Sequence, residues 1–284
     1  MNLILQGLHN SAASLEQIAR ISGAQRMTRL ESAAACFAWR LENVKDSPEI
    51  RSKVAQACEF AELDASFIEA GMNWQAFKLL VMDMDSTLIT IECIDEIADM
   101  QGIKPQVAEI TEAAMRGELD FNQSLRRRVA LLRGLEASAL QRVYDERLQL
   151  SPGAETLLAC ARQHGLKTLL VSGGFTFFTE RMQARLELDY AYSNQLEIVD
   201  GKLTGEVIGE IVNAEKKREH LLTTCAQLGV SGNAAIAMGD GANDLLMMGV
   251  AGLSVAFRAK PSVKAQAAVA LDVVGLDGLM NILD

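Results

Sequence analysis

Phe77-Lys78-Leu79-Leu80-Val81-Met82 runs directly into Asp83-Met84-Asp85-Ser86-Thr87. A nearly continuous apolar run of this length reads as a parallel strand buried on both faces. Two carboxylates follow where the apolar run stops. Three similar runs come later, Lys167 to Val171, Ala234 to Met238 and Leu253 to Ala256. Each ends in a polar or glycine-rich turn, and helical patterns lie between them. That alternation predicts an α/β fold with a doubly wound parallel sheet. Ligands of such sheets collect beyond the carboxyl ends of the strands. The chemistry is therefore expected just after Met82, Val171 and Met238.

Residues Glu92 to Leu150 interrupt the rhythm. Apolar positions recur there at helical spacing (Ile94, Ile97, Ala98, Val107, Ile110, Leu125, Val129, Leu132). The stretch is too long for one crossover helix, so it predicts a helical cap over the strand ends, at about 92–150. The first seventy-odd residues read differently. Asn2 to Leu8 alternates like a strand. Ser14 to Ile21 reads as a helix capped by Ser14. Gln25 to Leu30 and Ala34 to Leu41 read as strands, the second also compatible with a helix. A longer helix opens at Ser47 and extends to Gly71. The expected organisation is a small amino-terminal α/β domain over 1–72 and a larger catalytic domain over 73–284.

The chain has 284 residues, 49% of them hydrophobic and 23% charged, with a formal net charge of -10. That size and balance support a buried core. The acidic balance argues against nucleic acid or an anionic membrane as partner. The five cysteines (Cys36, Cys58, Cys93, Cys160, Cys225) form no C-x-x-C pair and read as reduced, packed thiols of a cytoplasmic protein. The three histidines (His9, His164, His220) lack metal-site spacing. No apolar run is long enough to span a membrane, and the amino terminus does not read as a signal peptide.

Four polar elements stand at the predicted strand ends and helix starts: Asp83-Met84-Asp85-Ser86-Thr87, Ser172-Gly173-Gly174, the lysines Lys216 and Lys217, and Gly239-Asp240-Gly241-Ala242-Asn243-Asp244. Taken alone, a D-x-D or a Ser-Gly-Gly is weak, since most such segments are solvated turns. Together and in this order they suit phosphate chemistry. A phosphomonoester dianion must be neutralised before an anionic nucleophile approaches it. Mg²⁺ does this with hard oxygen ligands, here Asp83, Asp240 and the backbone carbonyl of Asp85. Asp83 can then attack phosphorus and carry it as an aspartyl-phosphate. Asp85, two residues on, is placed to protonate the leaving alkoxide and later to activate water. Ser172 and the amides of Gly173 and Gly174 supply donors to the phosphoryl oxygens. One lysine supplies a fixed cation, and Asp244 orients that lysine or a metal-bound water.

These residues resemble the motifs of the haloacid dehalogenase superfamily of phosphohydrolases. The resemblance runs from Phe77 to the carboxyl terminus and tightens to the phosphoserine phosphatases. It rests on Asp-Ser-Thr-Leu, Val-Ser-Gly-Gly-Phe (171–175), Asp-Gly-Lys-Leu-Thr-Gly (200–205), Gly-Asp-Gly-Ala-Asn-Asp and Ala-Lys-Pro (259–261). It implies hydrolysis of O-phosphoserine, the last step of serine biosynthesis. It further implies that Glu92 holds the substrate ammonium, Arg128 its carboxylate, Phe121 the pocket's aromatic wall and Met115 a nearby apolar contact, with Asn243 also at the substrate. A bidentate arginine suits a carboxylate, although Arg126 to Arg128 alone would read as a solvated helix face. Counting from Asn213-Ala214 favours Lys217 as the motif lysine, and a slip of one residue makes it Lys216. The amino-terminal region weakly resembles small ligand-binding (ACT-like) domains and is expected to serve dimerisation. Two other readings stay open: a phosphatase or phosphotransferase for another small phosphomonoester, and a phospho-accepting signalling or amino-acid-sensing protein.

Overall fold

The computed structural model describes residues 1–31 and 34–283. The chain begins with β1 (Asn2–Gly7), α1 (Ala12–Ser22), β2 (Arg26–Leu30), β3 (Phe37–Glu42), α2 (Pro48–Ala61) and β4 (Leu63–Ile68). The four strands form an antiparallel sheet in the order β2-β3-β1-β4. This is the β-α-β-β-α-β arrangement of ferredoxin-like modules. Leu3 and Leu5 of β1 pack under both helices, with Leu15, Ile18, Val54 and Cys58.

Two expectations need correction here. Ser11 is the N-cap of α1, accepting from the Ser14 amide at 3.3 Å, so the helix starts before Ser14. The second helix ends ten residues before Gly71, at Ala61. Glu62 takes a left-handed turn (φ 52°) and Leu63-Asp64-Ala65-Ser66-Phe67-Ile68 becomes a strand paired with β1. The alternation of that segment is the strand signal, and a helical reading overran it.

The other face of this small sheet is not open. Ile4 and Ile68 join the hydrophobic core of the larger part of the chain. Asp64 on β4 accepts the backbone N–H groups of Asp272 (2.9 Å), Val273 (3.0 Å) and Val274 (3.0 Å). Asn281 donates to Gln6 at 2.7 Å. The sheet is thus covered on both faces, and β2 is its outer edge.

The larger part holds β5 (Leu79–Met82), then α3 (Cys93–Met100), α4 (Lys104–Met115), α5 (Phe121–Ala130), α6 (Ser138–Glu146) and α7 (Ala154–Gln163). There follow β6 (Lys167–Phe175), α8 (Thr176–Leu186), β7 (Tyr190–Val199), β8 (Lys202–Ile208) and α9 (Ala214–Gln227). The chain closes with β9 (Ala235–Gly239), α10 (Leu245–Met248), β10 (Leu253–Phe257), α11 (Pro261–Lys264), β11 (Val269–Leu271) and α12 (Met280–Leu283). The seven strands order as β11-β10-β9-β5-β6-β7-β8. All neighbours run parallel except β7 with β8. β5 sits centrally. Its Leu80 and Met82 enter one core and Leu79 and Val81 the other, which is why the run shows no polar alternation.

Strands β7, β8 and β11 escaped the sequence reading. β7 and β8 form a hairpin at the sheet edge, rich in polar residues, and β11 has only three residues.

Helices α3 to α6 form the inserted cap. Its neck is closed by an antiparallel bridge between Ile89 and Leu150, with Thr90 N–H bonded to Gln149 at 2.9 Å. The cap is tied at a second place to the β7–β8 hairpin, where Gly134 donates to Leu203 and Leu203 donates to Leu135, both at 2.8 Å. Gly205 (φ 85°) lets α5 approach β8, since a Cβ there would lie 3.0 Å from the Arg133 Cβ. The 200–205 segment is therefore the tip of the β7–β8 hairpin and the start of β8, which buttress the cap. No helix among the described residues is long and apolar enough to cross a membrane.

Candidate active site

Asp83 leaves β5 with its N–H still bonded to Met238 of β9 at 3.0 Å. The chain then makes a wide turn over Met84–Leu88, in which Leu88 donates to Asp83 and Ile89 to Met84. Ser86 sits in the left-handed region (φ 55°, ψ 2°) within it. This reversal returns the Asp85 carboxylate to the sheet edge. A Cβ on Gly174 would be 3.0 Å from Asp85 Oδ2 and 3.1 Å from Ser172 Oγ. The absent side chain of Gly174 is what allows these two polar groups to share the space.

Ser172-Gly173-Gly174 does not follow β6, as expected, but lies inside it. The β6–β7 register shifts between Val171 and Phe175, so the motif forms an irregularity in the ladder, a common way of re-aiming groups at a site. Ser172 is fully buried, and its Oγ accepts the Gly174 N–H at 2.9 Å, leaving the hydroxyl proton to be donated elsewhere.

Between the two candidate lysines the geometry is clear. Lys217 is 0% exposed, and its Nζ lies 2.7 Å from Asp83 Oδ2 and 2.8 Å from Asp244 Oδ1. Lys216 instead pairs with Glu210 and Glu219 at the surface, each at 2.8 Å. Asn213 caps α9, accepting from the Lys216 amide at 3.1 Å, and so aims the first turn at the strand ends. Asp244 also accepts the Gly241 N–H at 3.1 Å. The fold-back needs glycine at 239, where a Cβ would strike the Asp244 carboxylate; a Cβ on Gly241 would likewise strike Asn243 Oδ1.

Carboxylates of Asp83, Asp240 and Asp244 lie within 4.8 Å of one another. Burial raises the Asp83 carboxyl well above its usual range, against the pull of Lys217. Burial, and next the Asp244 charge, push Asp240 up to about 6. On Lys217 burial acts downward, but Asp244 and Asp83 outweigh it and hold the ammonium charged. Three crowded carboxylates facing one lysine leave the pocket short of positive charge, and hard oxygen donors in that state fit a divalent cation. Asp244 has both oxygens engaged by Lys217 and Gly241, which suits the positioning role expected of it. Asp85, by burial first and the Glu92 charge second, is pushed up to about 8. That direction favours the protonated form, the state a general acid needs.

The cap supplies the remaining residues. Phe121 opens α5 behind an Asp120 capping box, and its ring tip would be 2.9 Å from a Cβ on Gly173. The aromatic wall thus touches the glycine motif directly. In the run Arg126 to Arg128, the first two are exposed and Arg128 is half-buried. Its Nε is buried without a hydrogen-bond partner, and Asp95, Glu92 and Asp85 are its electrostatic neighbours. Glu92, at the N-cap position of α3, keeps solvent access; its side chain accepts from Ser86 Oγ at 2.7 Å. Met115 ends α4 and is 68% exposed, past the turn that buries Val107.

Asn194 was missed. It is buried on β7, donating to the Gly173 carbonyl at 2.7 Å and accepting the Val212 N–H at 2.8 Å. It fixes the glycine motif against the segment leading to α9. With β7 unrecognised, nothing in the sequence marked it. Cys93 was read as a packed thiol; it is buried, and it also hydrogen-bonds to Asp85.

The haloacid dehalogenase-like hydrolase family matches residues 77–252. A phosphoserine phosphatase of Polaromonas is 58% identical over 212 residues, 73% of this chain and 90% of that protein. Among solved structures, a haloacid dehalogenase family hydrolase from Salmonella enterica serovar Typhi superposes with a TM-score of 0.90 at 32% identity, covering 100% of this chain and 99% of the other. A phospho-aspartyl intermediate analogue of phosphoserine phosphatase gives 0.69 at 38% identity, covering 73% of this chain and 99% of its own.

Proposed function

The chain belongs to the haloacid dehalogenase-like hydrolases, and we propose that it hydrolyses O-phosphoserine to serine and phosphate through an aspartyl-phosphate at Asp83. Its relatives' name supports the substrate, and a phospho-aspartyl analogue of one such enzyme supports the intermediate. The observation that carries the chemistry is the buried Lys217 bridging Asp83 and Asp244.

The mechanism follows from these groups. Lys217, the Ser172 hydroxyl and the Gly173 amide hold the phosphoryl oxygens, while the Gly174 amide, bonded to Ser172 Oγ, fixes that hydroxyl. Asp83 attacks phosphorus as the bond to the serine oxygen breaks, and Asp85 gives that oxygen its proton. Asp85, now a base, takes a proton from water. The water oxygen attacks phosphorus, the bond to Asp83 breaks, and phosphate leaves. Asp83, Asp240 and the backbone carbonyl of Asp85 would hold Mg²⁺, which supplies charge neutralisation on the phosphoryl group. Asn243 is assigned to the same rim. Asn194 keeps the glycine amides in place throughout.

Substrate choice rests on the cap. Arg128 binds the carboxylate, Glu92 the ammonium, and Phe121 closes the wall. An unpaired, inward-turned guanidinium nitrogen is the feature that supports this reading. The reaction is the last step of serine synthesis and is assigned to the cytoplasm; the small amino-terminal module over 1–72 is assigned to pairing of two copies.

The test is phosphate release from phosphoserine, phosphothreonine, phosphohomoserine, phosphoglycolate and sugar phosphates, with and without Mg²⁺. A strong Mg²⁺-dependent preference for phosphoserine is expected. Broad preference would remove the substrate assignment, and no release at all would remove the hydrolytic reading.

A further inference from the structure

The left-handed residue of the catalytic turn has a hydroxyl that the mechanism above does not use. Ser86 is neither glycine nor asparagine, yet it holds φ 55°. Such a conformation costs a non-glycine residue of order 1 kcal/mol and persists where the surroundings impose it. Its backbone N–H donates to Ile91 at 3.2 Å, closing the loop between Asp85 and the cap. Its Oγ donates to Glu92 Oε1 at 2.7 Å. One residue therefore holds Ile91 through its backbone and Glu92 through its side chain, where the chain enters the cap.

Glu92 itself is unusual for its place. It stands at the N-cap of α3, where a carboxylate ordinarily accepts the helix's first amides. Its backbone carbonyl accepts from Asp95 and Glu96, both at 3.1 Å, but its side chain makes no cap bond. The carboxylate has been drawn off the helix end by Ser86. With Oε1 held by a neutral donor, Oε2 remains available to a second one.

We propose that Ser86 is a positioning residue for substrate selection: its hydroxyl fixes the Glu92 carboxylate so that the free oxygen meets the substrate ammonium. This rests on the reading of Glu92 as the ammonium site. Ser86 touches no reacting atom. Its part is to spare Glu92 the ordering that binding would otherwise require, and to keep it from returning to the α3 amides. The strained turn, placed by the metal-site sequence itself, thereby links the catalytic edge of the sheet to recognition in the cap.

The experiment compares kcat/KM for phosphoserine with that for its deamino analogue 3-phosphooxypropanoate, which keeps phosphate and carboxylate. The ratio of the two isolates the ammonium from any general loss of rate. It is measured in the wild type and in Ser86→Ala, Ser86→Gly and Glu92→Gln. Losing a hydrogen bond to a charged group should lower the ratio about tenfold in both Ser86 variants, chiefly through KM for phosphoserine. Glycine adopts the left-handed turn freely, so the Gly variant also guards against a fold defect in the Ala variant. A normal ratio in Ser86→Gly would overturn the proposal by placing the effect in the backbone. An unchanged ratio in both Ser86 variants, with Glu92→Gln lowered, would overturn it while leaving Glu92 as the ammonium site. An unchanged ratio in Glu92→Gln would remove that site and the proposal with it.

Discussion

Lys217 Nζ lies 2.7 Å from Asp83 Oδ2, with the lysine wholly enclosed by protein. A buried cation is costly unless its partners are present. Lys217 has two, and they tie the first turn of α9 to the ends of β5 and β9 alongside the packing of Leu221 and Cys225. In the proposed mechanism the lysine would do structural and chemical work at once, holding the orientation of Asp83 and offering a donor to the phosphoryl group.

Replacing it should expose that double role. Lys217→Met should abolish phosphate release and lower stability by about 3–5 kcal/mol, the usual cost of stranding a buried charge. Lys216→Met, which loses only surface pairs, should change stability by less than about 1 kcal/mol. Urea unfolding of the two variants checks this. Equal losses would mean that the buried pair is not what holds α9.

Asp85 should separate chemistry from metal binding. Asp85→Asn keeps the backbone carbonyl but loses the proton donor, so turnover should drop by about 10²–10⁴-fold. Mg²⁺ affinity, followed by calorimetry, should persist. A wild-type rate would remove the acid–base role.

Arg128 should matter only where the substrate has a carboxylate. Arg128→Ala should reduce kcat/KM for phosphoserine by at least about tenfold more than for an aryl phosphate, as befits a lost bidentate contact. Equal losses on both substrates would refute carboxylate recognition.

Asp64 should hold the amino-terminal module to the catalytic part. Its carboxylate accepts three successive backbone N–H groups, those of Asp272, Val273 and Val274. Asp64→Ala leaves those amides unpaired and should cost about 3 kcal/mol. Faster hydrogen exchange at those amides is the sharper readout. Unchanged protection there would show that Asp64 does not hold the module, leaving Ile4, Ile68 and the Asn281–Gln6 bond to do so.

The catalytic edge was legible because its chemistry is local. Asp83, Asp85, Ser172 and Asp240 each follow an apolar run, and a short apolar run such as Leu79 to Met82, bounded by polar turns, reads as a buried strand. Counting from Asn213-Ala214 favoured Lys217, and the structure shows Asn213 as the α9 cap and Lys217 as the buried lysine. The cap was visible as periodicity, but not its contacts. Arg128 and Met115 looked alike in sequence as positions on helices, and only packing turned one inward and left the other exposed. β4, β7, β8 and β11 were lost for ordinary reasons. They are short, or at sheet edges, or begin where a helix has just ended. Asn194 was lost with β7, because a buried asparagine bonded to two backbone groups has no sequence signature.

The most direct measurement is to mix the enzyme with phosphoserine and Mg²⁺, quench it in acid during turnover and reduce it with borohydride. Reduction converts an acyl phosphate on aspartate to homoserine, which mass spectrometry locates. The account predicts homoserine at position 83, and none in Asp83→Asn, which should also release no phosphate. Turnover with an unmodified Asp83, or homoserine at another aspartate, would contradict it.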